Sequence, residues 1–338
     1  VRIVVQHAVA DPAWQPAILA PPAVTDFARL AEKHGYAGIA FTDHPAPTLR
    51  WTANGGEGSA DPLVSLAYCA AVTSTIELMT FVLALPGHNP FRLAHQVATL
   101  DALSGGRLTL GLGTGYLRGE LRALGADPGA RRAAFEAVLE TMLAAWSADS
   151  VSGSFQPAEP GPFAGWSARD VHVQPRPVQP PHPPLWFHGN SAFGRARAAR
   201  YGSGCLAVLT PPELAATMRT AHLPDLAAAA RAVEDLRRRL QAAGREPGAV
   251  AVGLAGLWPM LDIRRGWDAG ELVAAAGAAA AAGVGTLFAT VCGDDPSATG
   301  ETLAALGDQV LGAVRDITPA PSAAADGVQA GSAGSGRT

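Results

Sequence analysis

Four short stretches hold side chains that could do chemistry. The run TDHP sets Asp43 beside His44, with Pro45 ending the element before them. An imidazole titrates near neutral pH, so His44 could give or take a proton, and Asp43 could orient it. The run GLGTGY ends an apolar stretch with Gly111, Gly113 and Gly115 alternating; Thr114 adds a hydroxyl and Tyr116 a ring and a phenol. Glycines there would let the backbone approach a flat or anionic ligand. In LALPGHNPF, Pro86, Gly87 and Pro90 force an irregular loop on which His88 and Asn89 offer polar groups. In FHGNSAFG, Gly189, Asn190 and Ser191 lead into a helix start, where free amides and the helix dipole favour an anion such as phosphate.

Each stretch has a plain reading beside the chemical one: a core histidine, an ordinary strand exit, a loop, an N-cap. Spacing excludes one alternative. A dinucleotide fingerprint needs G-x-G-x-x-G in a first βαβ unit, with an acidic residue about twenty positions on. Here the order is G-x-G-x-G, it falls at a fourth strand, and no such acid follows. Cys69, Cys205 and Cys292 are far apart and no Cys/His cluster exists, so buried free thiols are expected, with no disulfide framework and no metal site.

These stretches sit at the ends of predicted strands. Apolar, β-rich runs at 2–6, 36–42, 76–85, 107–113, 183–189, 204–210, 250–260 and 285–291 alternate with helical patterns at 24–35, 61–73, 90–104, 131–146, 191–202, 226–244, 269–283 and 299–317. Strict alternation implies a parallel sheet with helical crossovers. Eight such units predict an α/β fold of the (β/α)8 TIM-barrel type, in which active sites collect at the C-terminal ends of the strands. The Pro- and Gly-rich residues 148–182 read as an insertion at the rim before the fifth strand. The first strand ends in Gln6-His7, so His7 joins the mouth. The loop 44–61, with Arg50 and Trp51, reads as a lid over it or as a disordered loop. The barrel is expected to span 1–318, and the low-complexity stretch 319–338 to be a disordered tail.

Composition agrees with a packed enzyme-like domain. Of 338 residues, 48% are hydrophobic and 16% charged, enough for a large core. A formal charge of −4 gives no reason to expect nucleic acid or an anionic membrane as partner. The opening VRIVVQHAVADPAW lacks the basic region and long apolar core of a signal peptide, and no run of about twenty apolar residues appears. A cytoplasmic location is expected.

Taken together, GIAFTDHP, the run from Leu85 to Gly125 that includes ATLDALSGGRLTLGLGTGY, RRAAFEAVLETMLAAW and PRPVQPPHPPLWFHGNS resemble the bacterial luciferase-like oxidoreductases, over about residues 1–316. Within that family the sequence is most similar to members that use the deazaflavin coenzyme F420. The resemblance implies a flavin-type ring over the third and fourth strand exits, against Gly113, Thr114 and Gly115. It also implies a bulge at Leu83, Ala84, Leu85 and Pro86 behind the ring, and a phosphate near Gly189, Asn190 and Ser191. The position matching His44 touches cofactor or substrate in such enzymes.

Two positions depart from the pattern. Tyr116 stands where some deazaflavin dehydrogenases have a proton-handling carboxylate, with Glu120 four residues on. His188 stands where many relatives have glycine. The expected activity is hydride transfer between F420 and a small, largely apolar substrate, with His44, Asp43 and Tyr116 handling the proton and His7, Trp51 and Glu120 around the substrate or lid. An FMN-dependent monooxygenase fed by a separate reductase is the alternative, and a flavin-binding barrel without catalysis a second one. A homodimer is expected by resemblance.

Overall fold

Eight parallel strands closing into a barrel set every feature of the candidate site. A computed structural model of the chain describes residues 1–7, 16–54, 56, 58–155, 166–218 and 220–320, with backbone alone for Pro16, Leu214, Thr217 and Met218. Of the tail expected over 319–338, residues 321–338 lie outside the described residues.

The first unit pairs β1 (Arg2–Gln6) with α1 (Pro21–Lys33), which begins earlier than its apolar spacing predicts because Pro21 and Pro22 occupy its first turn, where a missing N–H costs nothing. Next come β2 (Gly38–Phe41), the short α2 (Leu49–Ala53) and α3 (Pro62–Val72), the last capped by Asp61 as its Asp-Pro start implies. The strand predicted over 76–85 is broken into β3 (Glu77–Thr80) and β4 (Leu83–Ala84) at a cis peptide between Phe81 and Val82. Then follow α4 (Pro90–Ser104), β5 (Leu108–Gly113), α5 (Arg118–Ala123) and α6 (Arg131–Ser147). An antiparallel pair, β6 (Val151–Phe155) and β7 (Trp166–Val171), precedes β8 (Leu185–His188). The series ends with α7 (Ala192–Tyr201), β9 (Gly204–Val208), α8 (Pro212–Met218), α9 (Leu226–Ala242), β10 (Ala251–Ala255), α10 (Ala269–Ala281), β11 (Thr286–Thr290) and α11 (Pro296–Leu306), which continues through a π-helical turn (Gly307–Leu311) into α12 (Gly312–Arg315).

The sheet runs β3-β2-β1-β11-β10-β9-β8-β5-β4, and a further pairing of β3 with β5 closes it. Leaving aside the two-residue β4, this is an eight-stranded parallel barrel, the TIM-type α/β fold expected. Side chains alternate along each strand, so one set fills the barrel and the other meets the helices. Val4, Ala40, Met79, Trp186, Leu206, Ala255 and Phe288 form the inner cluster, while residues such as Ile39, Leu110, Phe187 and Leu287 belong to the larger core under the helices.

The run SGGRL secures the bottom of the barrel. Gly105 takes the left-handed conformation that ends α4. The Arg107 guanidinium donates to the carbonyls of Ala70, Thr73 and Ile76, tying the end of α3 to the strands. Asp101, fully buried in α4, accepts from the amides of Val178 and Gln179 at 2.8 and 3.0 Å and so docks the segment that enters β8.

Candidate active site

The C-terminal strand ends gather a hydrogen-bonded chain of three side chains. His44 follows β2, Tyr116 follows β5, and Glu120 lies in the first turn of α5. The Tyr116 hydroxyl is 3.0 Å from His44 Nε2, and His44 Nδ1 is 3.1 Å from Glu120 Oε2. Glu120 and His44 are buried, with 4% and 8% of their surface exposed. The second carboxylate oxygen accepts the Ala46 amide at 3.2 Å, and the His44 amide donates to Ser59 Oγ at 2.6 Å, which anchors both ends of the 44–61 loop.

The direction of the chain follows from what each atom can do. A Glu120 carboxylate accepts only, so His44 Nδ1 must carry the proton that faces it. Nε2 then presents its lone pair and accepts from the Tyr116 hydroxyl. A proton leaving Tyr116 would pass to His44, and the resulting imidazolium would rest against Glu120. This is the arrangement of an acid–base group with an orienting carboxylate. Trp51, on α2, closes the group from the side: its ring centroid lies 6.2 Å from that of His44 and 5.7 Å from that of Tyr116. Part of the 44–61 loop is thus helical and packed.

The barrel mouth around this group mixes apolar and polar surface. Phe81 and Val82 cover the inner cluster, and Phe81 lies 4.9 Å from Phe288. Gln6 donates to Thr42 at 2.7 Å and accepts from Thr290 at 3.3 Å, a polar rung on the β1 side. Across the barrel, the turn after β8 is held from several directions. Asn190 accepts from the Val208 amide at 2.8 Å and donates to the carbonyls of Val208 and Ala221. Arg195 donates to the carbonyls of Gly189 and Asn190, and its charge is met by Asp235 at 2.6 Å. Burial raises the Asp235 carboxyl, but its hydrogen bonds from Arg239 and Arg195 outweigh this and hold it at about 2. A concavity of about 620 Å³ lies at the other end of the barrel, lined by Gly105, Gly106, Val178, Gln179 and Ser203 among others, away from this chemistry.

Residues 3–259 match the Luciferase-like monooxygenase family. The chain belongs to that family. A Mycobacterium tuberculosis protein described as uncharacterised is 37% identical over 170 residues, 47% of this chain and 57% of that one. An FMNH2-dependent dimethylsulfone monooxygenase of Pseudomonas putida is 28% identical over 181 residues, 51% of this chain and 45% of that one. The match therefore spans about half the length of these curated relatives. Over the whole barrel, the chain is similar in fold to an F420-dependent secondary alcohol dehydrogenase solved with an F420–acetone adduct, with a TM-score of 0.68 at 16% identity, over 93% of this chain and 99% of that one.

Several residues of this luciferase-like barrel are placed otherwise than their neighbours in sequence imply. Asp43 does not orient His44. Consecutive residues point to opposite sides, and Asp43 accepts instead from the Ala84 amide at 3.0 Å and lies 3.4 Å from His88 Nε2. Glu120, 76 positions away, takes the orienting place. His7 is absent from the mouth: Gln6 faces inward, so His7 turns toward α1, stacked 4.9 Å from Phe41 and edge-on to Phe27 at 4.8 Å. The Asn89 side chain caps α4, accepting from the amides of Phe91 and Arg92, and Ser191 caps α7, accepting from Gly194. Trp186 lies within the barrel, and Phe91 packs on Trp166. Leu83, Ala84, Leu85 and Pro86 are buried beside β5, with Leu83 opposite Leu112 and Ala84 opposite Gly113. One glycine from each of two of these stretches serves packing: a Cβ on Gly113 would lie 2.7 Å from Val82, and on Gly189 2.3 Å from Cys205 Sγ. All three cysteines are free and buried, as expected.

The placement of His7 has a measurable consequence. Burial lowers its imidazole to about 4, from an ordinary value near 6.5. Between these values the unfolded chain binds the proton and the folded chain does not, so this contribution to stability is whole above pH 6.5 and is lost as pH falls toward 4. Replacing His7 by Phe is expected to flatten the stability–pH curve in that window, read by urea unfolding at pH 7.5 and pH 4.5. An unchanged slope would refute the assignment.

Proposed function

We propose that the chain is an F420-dependent oxidoreductase that moves a hydride between the deazaflavin coenzyme and a small, largely apolar organic substrate at the barrel mouth. The observation that carries this reading is the chain Tyr116–His44–Glu120 at the strand exits, a proton path ready beside the place where a ring would lie. The residues present fit a flavin-type group. Leu83–Pro86 form a buried wall, the Thr114 hydroxyl and the His188 ring have no partner among the described residues, and neither do the amides of Ala192 and Phe193 at the start of α7. Unmatched amides at a helix start suit a phosphate.

When bound, the deazaflavin supplies the hydride donor or acceptor. His44 and Tyr116 would hold the accompanying proton, Glu120 would steady the imidazolium, and Trp51 with the 44–61 loop would keep water from the group. Gly113, Thr114 and Gly115 would lie along the ring, with Gly189, Asn190 and Ser191 shaping the turn beneath the phosphate. A homodimer is part of the same reading.

A second reading rests on the Pseudomonas putida relative, which is named for FMNH2 dependence. In that case reduced FMN would come from a separate reductase and react with oxygen. Titrating cofactor-free protein with F420, oxidised FMN and reduced FMN, by fluorescence and calorimetry, separates the two. F420 is expected to bind about ten-fold tighter than either form of FMN, a difference of about 1.4 kcal/mol. Preference for reduced FMN together with oxygen uptake would overturn the F420 reading.

A further inference from the structure

We propose that His188 is the hydrogen-bond partner of a hydroxyl-bearing chain that links the ring of a bound flavin-type ligand to its phosphate. The inference rests on the reading above, that such a ligand fills the mouth.

Strand alternation places the side chain. Trp186 belongs to the inner cluster of the barrel, so His188, two residues on, faces inward one rung nearer the mouth, opposite Leu206 in the β8–β9 register. His188 is also the one side chain of its turn left without a task. Gly189 has none and has no room for one, Asn190 is bound at both ends to Val208 and Ala221, and Ser191 caps α7. The His188 ring, by contrast, has no hydrogen-bond partner among the described residues, although it is only partly exposed. The ring is therefore open to a ligand in the mouth, with no protein group competing for its nitrogens among the described residues.

The ring's state indicates which partner. Burial lowers its pKa to about 4, so near neutral pH it is uncharged, with one N–H and one lone pair. That pair matches a hydroxyl, which both donates and accepts, and gives no charge to attract an anion. The anion has its own seat nearby: three residues after Gly189 the unmatched amides of Ala192 and Phe193 open α7. A ligand with its anion on those amides and its ring in the mouth must pass His188 with the segment between them. In both F420 and FMN that segment is a sugar-alcohol chain. The Thr210 hydroxyl, two residues past β9, the strand that Asn190 ties to this turn, is likewise buried without a partner.

The test compares ligands with and without that chain. F420, FMN, riboflavin and lumiflavin, which lacks the chain, are titrated against the parent, His188→Ala and His188→Asn by ligand fluorescence. His188→Ala is expected to weaken FMN and riboflavin by about ten-fold, the usual worth of one buried hydrogen bond, with lumiflavin within about two-fold. His188→Asn, which keeps a donor and an acceptor, should recover most of the loss. Equal FMN affinity in parent and His188→Ala, or an equal loss with lumiflavin, would overturn the role of His188 alone. A parent chain that binds neither FMN nor F420 would overturn the functional reading and this inference together.

Discussion

Replacing His44 by alanine is expected to lower turnover by about 10²- to 10⁴-fold, the usual contribution of a positioned acid or base, with cofactor affinity within about three-fold of the parent. The asymmetry follows from where the imidazole is fixed. Its two nitrogens are held by Tyr116 and Glu120, and its main chain by Ser59. It therefore serves the proton and not the cofactor's phosphate, whose candidate seat is across the barrel at α7. Replacing Glu120 by glutamine tests the same chain from its far end. The amide can still accept from the His44 ring, but it brings no negative charge to an imidazolium. Turnover should fall, but by less than with His44→Ala. A cofactor-affinity loss as large as the turnover loss in His44→Ala would sink the assignment of a proton role.

The second large effect is on stability. Gly111→Ala is expected to destabilise the fold by about 3 kcal/mol or more, a substantial part of the roughly 5–15 kcal/mol that holds a domain together. A Cβ on Gly111 would lie 2.1 Å from the Thr80 carbonyl oxygen, which is backbone and has no rotamer to escape into. The same contact is locked by hydrogen bonds in both directions between the Thr80 hydroxyl and the Gly111 amide and carbonyl, each 2.9 Å. Gly113→Ala should cost less, because its Cβ meets a methyl of Val82 that can turn. Urea unfolding of both variants gives the comparison. Equal midpoints for parent and Gly111→Ala would show that β3 and β5 can separate at this point.

Together these variants explain the alternating glycines that end β5. Gly111 and Gly113 are small because β3 and its broken continuation cross close to β5, and only Gly115, with φ +68°, needs the left-handed conformation that glycine adopts freely. The motif that most suggests a ligand loop is therefore first a packing device. Its closeness brings Thr114 and Tyr116 to the mouth.

What the sequence determined alone is the order of its elements and the end of the barrel at which they act. Hydrophobic period separates strands from helices locally, and parallel connection forces every strand exit onto one face, so Asp43, His44, Tyr116 and the turn at Gly189 could be placed near one another before any contact was known. Two caps were legible for the same reason, since Asp61 and Ser191 bond residues three positions away, whereas Asn89, read only as a polar group on a loop, proved to cap α4. Only the tertiary structure decided which side chains meet. A one-residue step along an extended chain reverses the direction of a side chain, which sends Asp43 to Ala84 and His7 under α1 while His44 and Gln6 keep their places. The partner of His44 comes from α5, and nothing in the spacing of 44 and 120 encodes it; the closure of β3 on β5 brings the two carriers together. The Phe81–Val82 break and the unmatched His188 ring depend likewise on neighbours remote in sequence. Local patterns set the scaffold, and the long-range packing of a closed barrel chose the chemistry it presents.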